Sequence, residues 1–397
     1  MSMNIYPNQF SQKNVIDIIE YCQVRKYKTL GYTVSLCHEC YGHVPAVRYE
    51  FNGSIYIAKH CKTHGITTHM IERDSEFYHS LICDKPSLNY DPVLLTEATD
   101  RCNLNCPHCY HKPDNSIKDE LADDIINRTK DAPSYGIKRL QLAGAEASLR
   151  PDFPELIKRL IDENKFIKVD TMTNGIRFGD KKFFNKCVDA GLHCINVGLN
   201  HPNYIGNAVT RKKQVEGIDY ASQIGKIGYV GYTMVSLQEL HDILEEIVSV
   251  NWKAATFRIR AGSEIGINAT TKRYYVSDIY KAIKTWAEKN NHSVEDMPAD
   301  DNIYHKMIRL NGKPIRIIQW CDITDIDMEE LKSGPWNDFV PHDKRTNFLH
   351  QIIRRDIWKN QGIALPDKTP PRYQLEYQKH FKTPLNLLAL STLNTIA

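Results

Sequence analysis

From residue 93 to about residue 260 the chain repeats one pattern, a short run of β-branched and apolar residues followed by a longer charged stretch with helical spacing. Runs at 93–99, 138–143, 167–173, 194–199, 228–235 and 255–260 predict six strands, because such residues suit a pleated, buried surface. Between them, 117–130 predicts a helix, and Asp152-Phe153-Pro154-Glu155 predicts a helix start with Asp152 as cap and Pro154 in the first turn. Strands that alternate with helices in this way describe a parallel βα barrel or part of one. Upstream, 44–58 predicts a β-hairpin turning at Asn52-Gly53. Downstream, helices are expected at 276–289 and 345–360, a strand at 314–320 and a Pro-rich turn at 368–371. This last region is expected to close the open side of the barrel and shape a substrate pocket, with Tyr274, Tyr275, Trp320 and Trp336 as pocket-lining or core aromatics.

Parallel βα barrels carry their chemistry at the C-terminal ends of the strands. The loop after the first strand reads Cys102-Asn103-Leu104-Asn105-Cys106-Pro107-His108-Cys109-Tyr110. Three thiolates on one short loop reach three irons of a [4Fe–4S] cluster and leave the fourth iron open. A zinc knuckle is the plainer alternative, but zinc motifs supply their ligands as two pairs. The spacing, closed by an aromatic residue, resembles that of the radical S-adenosylmethionine (radical SAM) superfamily.

The resemblance implies an α/β fold with a partial (β/α)6 barrel, and a cluster held by Cys102, Cys106 and Cys109 beside Tyr110. It further implies that the open iron takes the amino and carboxylate groups of SAM. An electron from a low-potential donor such as flavodoxin or ferredoxin then yields a 5′-deoxyadenosyl radical that abstracts hydrogen from a substrate. At the second strand end, Gly144, Ala145 and Glu146 look like the family's Gly-Gly-Glu segment for the SAM amino group, with alanine in the middle place. Thr173 and Asn174 end the third strand where the family meets the SAM ribose, and Asn200 follows the fourth where Ser-Leu-Asp is common. On the sixth strand Arg258 and Arg260 are expected on opposite faces, with Arg260 assigned to the SAM carboxylate or an anionic substrate.

A second constellation lies near the amino terminus, where Cys37-His38-Glu39-Cys40 precedes Cys61-Lys62-Thr63-His64 across the predicted hairpin. Two such knuckles suit one tetrahedral ion held by Cys37, Cys40, Cys61 and His64. Cys83 is an alternative fourth ligand, and four thiolates would also suit rubredoxin-type iron. The segment resembles the amino-terminal module of archaeal pterin-methylating and tetraether-lipid-forming radical SAM proteins. That resemblance points to alkylation or C–C bond formation at an unactivated carbon. A radical rearrangement, dehydrogenation or epimerisation of a small metabolite is the alternative. A non-catalytic iron–sulfur or zinc carrier or adaptor is the reading from another class.

Composition narrows the rest. The 397 residues include eleven cysteines and carry a net charge of +3, too dilute to favour nucleic acid or an anionic membrane. No apolar run approaches the ~20 residues of a membrane span, and the first residues lack signal-peptide character. A cytoplasmic location is expected, with cysteines kept as metal ligands or reduced thiols. Cys22, Cys187, Cys194 and Cys321 stand apart from any ligand pattern, so a single catalytic cluster is expected. The expected organisation is an amino-terminal knuckle region at 1–90, a barrel at 91–270 and a substrate-shaping extension at 271–397. The substrate class stays open among small molecules, lipids and peptides.

Overall fold

A computed structural model describes residues 12–37, 43–82, 93–106, 109, 113–130, 132–135, 138–204, 207–253, 256–262, 273–298 and 305–318. Helix α1 (Gln12–Val24) precedes four antiparallel strands, β1 (Lys28–Leu36), β2 (His43–Phe51), β3 (Ser54–Cys61) and β4 (Gly65–Glu72), in spatial order β1-β2-β3-β4. The predicted hairpin is β2–β3. Its turn residues Asn52 and Gly53 have φ of 49° and 73°, the left-handed pair that a two-residue turn needs to match strand twist. Ile18 and Cys22 of α1 pack on Val47, Tyr49 and Ala58, so Cys22 acts as a small hydrophobe. Helix α2 (Ser75–Ser80) follows, capped by Asp74, whose carboxylate accepts from Phe77 N–H at 2.9 Å.

All six predicted barrel strands are present: β5 (Val93–Thr99), β6 (Arg139–Gly144), β7 (Lys168–Thr173), β8 (Leu192–Gly198), β9 (Ile227–Met234) and β10 (Thr256–Ala261). They pair in sequence order and in parallel. Crossover helices α3 (Ala122–Thr129), α4 (Phe153–Asp162), α5 (Lys181–Asp189), α6 (Ala208–Gln223) and α7 (Leu237–Ser249) connect them. Asp152 stands at the start of α4 but does not bond to its backbone. Its carboxylate takes both prongs of the buried Arg150 guanidinium at 2.9 and 2.8 Å, and that bidentate ion pair outcompetes the cap.

Helices cover one face of the sheet. Leu140, Leu142, Val169, Ile195, Val197, Val230, Phe257 and Ile259 join Leu156, Leu160, Phe184, Ile218, Leu240 and Leu244 of the helices in one core. The opposite, inner face carries Gln141, Asp170, Met172, Asn196, Tyr229, Thr233, Arg258 and Arg260, as period-two alternation and strand register require. A polar interior on an open parallel sheet makes this a partial barrel built to hold a ligand.

Past β10, helix α8 (Val276–Lys289) leads to β11 (Val294–Asp296), β12 (His305–Leu310) and β13 (Lys313–Ile318). Strand β13 joins β10 in parallel as a seventh parallel strand, and β12 and β11 continue antiparallel. The sheet of described residues therefore runs from β5 to β11 with both edges open. The amino-terminal module is fastened to α8. Glu72, 2% exposed, accepts from Ser277 N–H at 3.3 Å and from its hydroxyl at 2.5 Å, while Asp74 pairs with Lys281 at 2.5 Å.

Candidate functional site

Strand β5 ends at Thr99, and the cysteine loop leaves from there. Its base is pinned by Asp119, which accepts from Thr99 Oγ1 and Arg101 Nε at 2.5 and 3.1 Å. Burial works against the Asp119 carboxylate, yet the bonds from Arg101 and Thr99 hold it below the usual carboxylate range. Within the loop, Cys102 N–H donates to Asn115 Oδ1 at 3.1 Å, Leu104 N–H to Cys102 Sγ at 3.4 Å, and Cys109 N–H to the Cys106 carbonyl at 3.1 Å. Tyr110 lies outside the described residues.

The three thiols feel one another. Burial, with the Glu146 and Cys109 charges, raises Cys102 to about 11. Burial, with Cys109 and Cys102, raises Cys106 to about 12. Such thiols are held protonated unless a metal takes the proton's place. Three thiols on one short loop are a donor set that fits a cluster of several irons better than one zinc.

The neighbouring strand ends close around this loop. Gly144 has φ of 114°, and a Cβ there would meet the Thr99 carbonyl at 2.4 Å, so only glycine lets β6 leave the sheet against β5. Ala145 N–H then donates to that carbonyl at 2.9 Å, and Glu146 N–H to the Arg101 carbonyl at 2.9 Å. Glu146 is 1% exposed. Its carboxylate accepts from the hydroxyls of Ser148 and Thr173 at 2.5 and 2.7 Å and from Asn174 N–H at 2.6 Å. Burial raises its pKa against these bonds. Glu146 thus knots the β6 end to the β7 end.

Asn174 carries that knot to the cysteines. Its Nδ2 donates to Asn103 Oδ1 at 2.7 Å and points to Cys102 Sγ at 4.0 Å, and its Oδ1 accepts from Ile176 N–H at 3.0 Å. Asn200 sits farther round, with φ of 54°, and accepts from Thr233 N–H at 3.2 Å, joining β8 to β9. Arg258 and Arg260 share the inner face, because residues two apart on a strand point the same way, and this corrects the expectation of opposite faces. Both are half-buried while Phe257 and Ile259 are fully buried behind them. Arg260 Nε donates to Thr233 Oγ1 at 2.8 Å.

Several residues that build the site had no signal in the sequence. Arg150, 2% exposed, bonds the carbonyls of Ala98 and Glu120 at 3.0 Å each, and Asp119 and Gln214 brace the loop and Asn174 from a distance. These bonds join residues 18 to 52 positions apart in the chain, so no local pattern announces them.

The amino-terminal ligands also meet. Cys37 Sγ and Cys61 Sγ lie 3.3 and 3.4 Å from His64 Nδ1, and among the described residues these three form a set whose ligand atoms all lie within 4.8 Å of one another. Cys61 ends β3, and Gly65, with φ of 78°, starts β4, so the tight turn brings His64 back over the cysteine. Burial pushes the Cys61 thiol up, but bonds from the backbone of His64 and Thr63 and from the His64 and Cys37 side chains outweigh it and bring it down to about 7. A depressed thiol beside an imidazole suits a metal centre. Cys40 and Cys83 lie outside the described residues.

Comparison with known proteins now adds to this geometry. A family model described as Radical SAM superfamily matches residues 96–249. Over that span the chain is similar to a radical SAM domain. The match spans the cysteine loop and strands β6 to β9, and the superfamily's name matches the cluster-and-SAM chemistry that the three-cysteine loop suits. A second model, the HMPTM N-terminal zinc ribbon domain, matches residues 29–73, the span that holds Cys37, Cys61 and His64. The chain is 30% identical over 208 residues to 7,8-dihydro-6-hydroxymethylpterin dimethyltransferase of Methanocaldococcus jannaschii, which covers 44% of this chain and 40% of that one. It is 29% identical over 210 residues to GTP 3′,8-cyclase of Aliarcobacter butzleri, covering 48% and 64%. The chain thus spans 40% to 64% of the length of these relatives. Among solved structures, Streptococcus suis SuiB bound to S-adenosylmethionine aligns over 63% of this chain and 54% of its own, with 13% identity and a TM-score of 0.40.

Proposed function

We propose that this protein is a radical SAM enzyme that alkylates, or forms a C–C bond at, an unactivated carbon of a small molecule. The three-cysteine loop at the open end of a polar-lined partial barrel carries the reading. The zinc ribbon and the likeness to a pterin dimethyltransferase favour alkylation over rearrangement, dehydrogenation or epimerisation. When bound, the cluster and SAM supply a 5′-deoxyadenosyl radical.

The chain's own residues do the rest. Cys102, Cys106 and Cys109 hold three irons. Asn174 donates toward Cys102 Sγ and sets the loop at its distance from the strand ends, with Glu146 accepting from Asn174 N–H and Thr173 Oγ1 accepting from Gly175 N–H behind it. Gly144 and Ala145 keep the rim low so that SAM can approach, and Asn200 holds the β8 rim beside it. Arg260, aimed by Thr233, takes the SAM carboxylate. The inner face excludes water and orients one C–H bond of the substrate. Of the carboxy-terminal residues, 273–298 and 305–318 extend the sheet past β10, while 319–397, with Trp320, Trp336 and the expected helix at 345–360, lie outside the described residues. No described helix is long and apolar enough to cross a membrane, and a reducing cytoplasm with a flavodoxin- or ferredoxin-type donor suits this chemistry.

Reaction type is tested with SAM carrying a deuterated methyl group and candidate dihydropterins under reducing, anoxic conditions. A product heavier by the labelled methyl group supports alkylation. 5′-Deoxyadenosine formed with a product of unchanged carbon count supports the rearrangement class instead.

A further inference from the structure

Arg258, deeper on the inner face than Arg260, and Arg316 beside it have no individual role in the account above. Arg258 on β10 and Arg316 on β13 are register partners on this face. The Arg258 guanidinium stands 3.6 Å from the Tyr229 ring centroid, and Arg316 Nε donates to Met307 Sδ at 3.3 Å. Aromatic and thioether neighbours orient both groups while keeping their charge.

Beside them the sheet has a bare floor. Gly231 is the register partner of Arg258 on β9, and Gly198 is the partner of Gly231 on β8, so two adjacent strands carry no side chain at that level. Neither glycine has positive φ. A Cβ would meet nothing closer than 3.4 Å at Gly231 and 3.8 Å at Gly198. Backbone and packing therefore leave room for a Cβ at both places, and the two glycines leave open floor over which a ligand can approach the sheet closely.

One pleat deeper, Asn196 is 3% exposed, and its Nδ2 has no hydrogen-bond partner among the described residues. Its Oδ1 lies over Gly228, where a Cβ would come within 2.2 Å, and Gly228 is the extra residue where the β8–β9 register shifts. A bulge of this kind re-aims side chains beside active sites. A buried donor without a partner is costly, and an acceptor on a bound ligand would offset that cost.

We propose that Arg258 and Arg316 bind a phosphoryl group of the substrate, which lies across Gly198 and Gly231 and accepts a hydrogen bond from Asn196. Two adjacent guanidiniums bring forked donors to one ligand from two strands, a geometry that matches the oxygens of a phosphoryl group better than the two of a single carboxylate. Arg260 lies two residues nearer the C-terminal end of β10, a rise of about 6.6 Å along the strand, so SAM and substrate have separate arginines. The inference rests on the radical SAM reading for its chemistry, and the binding measurement stands apart from it.

The test is titration of inorganic pyrophosphate into the cluster-loaded, full-length protein with SAM present, followed by calorimetry. Saturable binding is expected, weakened at least about tenfold by Arg258→Gln, Arg316→Gln and Gly231→Val, with SAM affinity held within about twofold. Arg316→Lys keeps the charge and is expected to bind with intermediate affinity, which separates loss of charge from loss of fold. The proposal is overturned if pyrophosphate does not bind, if it binds wild type and variants alike, or if SAM affinity falls in step. Failure of the radical SAM reading would appear differently, as pyrophosphate binding without SAM cleavage.

Discussion

Asn174 does more with one residue than any other at the rim. Its amide reaches Asn103 and Cys102, its N–H reaches Glu146, and its carbonyl takes Gln214 at 2.5 Å. Asn174→Ala is expected to cost about 1–2 kcal/mol in folding and to lower the iron and sulfide retained per chain, measured by chemical analysis after anoxic desalting; full retention would remove its role at the loop. Gly144→Ala forces a Cβ into the Thr99 carbonyl from a left-handed backbone, and a loss of ~3 kcal/mol in urea denaturation is expected. The cysteines were legible at this scale because a cluster needs thiols at short, fixed spacing. Asn196, Gln214 and Arg150 were not, because a lone polar residue acquires meaning only from partners that the fold brings to it.

Among the elements, all six barrel strands and α8 lie where hydrophobic runs and helical spacing put them, since burial on the helix-covered face dictates those runs. The face of the arginines is a matter of strand alternation, and the structure shows both on the inner side. The reach of β13 into the parallel sheet was not legible, because an isolated apolar run does not announce its partner.

The clasp between β4 and α8 carries a pH signature. Burial raises the Glu72 pKa against the bonds from Ser277, Asp74 and Arg73. The unfolded chain therefore loses this proton first, and ionisation favours unfolding as pH rises from about 4.5 toward the raised folded-state value. Glu72→Gln is expected to flatten the fall in stability across that window, as read by denaturant midpoints at stepped pH. An unchanged slope would show that Glu72 does not titrate in the clasp.

For the whole molecule, two metal centres serve different ends. The ribbon holds Cys37, Cys61 and His64 in a small module with its own core, and structural metal sites contribute folding energy directly. Cys37→Ser is expected to raise hydrogen exchange across residues 28–72 while residues 139–261 stay protected; loss of turnover with an unchanged ribbon would contradict a structural role. The fold class was legible from alternating strands and helices, and the open form of the barrel from the cysteine motif. The bare glycine floor and the fastening of the ribbon to α8 were not, since both depend on registers and contacts between distant segments.

The central claim is a cluster gripped by three protein sulfurs with one iron left for SAM. Anoxically reconstituted protein, reduced with dithionite and given SAM, is assayed for 5′-deoxyadenosine by mass spectrometry. Wild type is expected to form it, and Cys102→Ala, Cys106→Ala and Cys109→Ala each to reduce it by more than about 100-fold. An intact, reduced cluster that forms no 5′-deoxyadenosine, or a spectrum showing four protein sulfurs or a single zinc at this loop, would contradict the account.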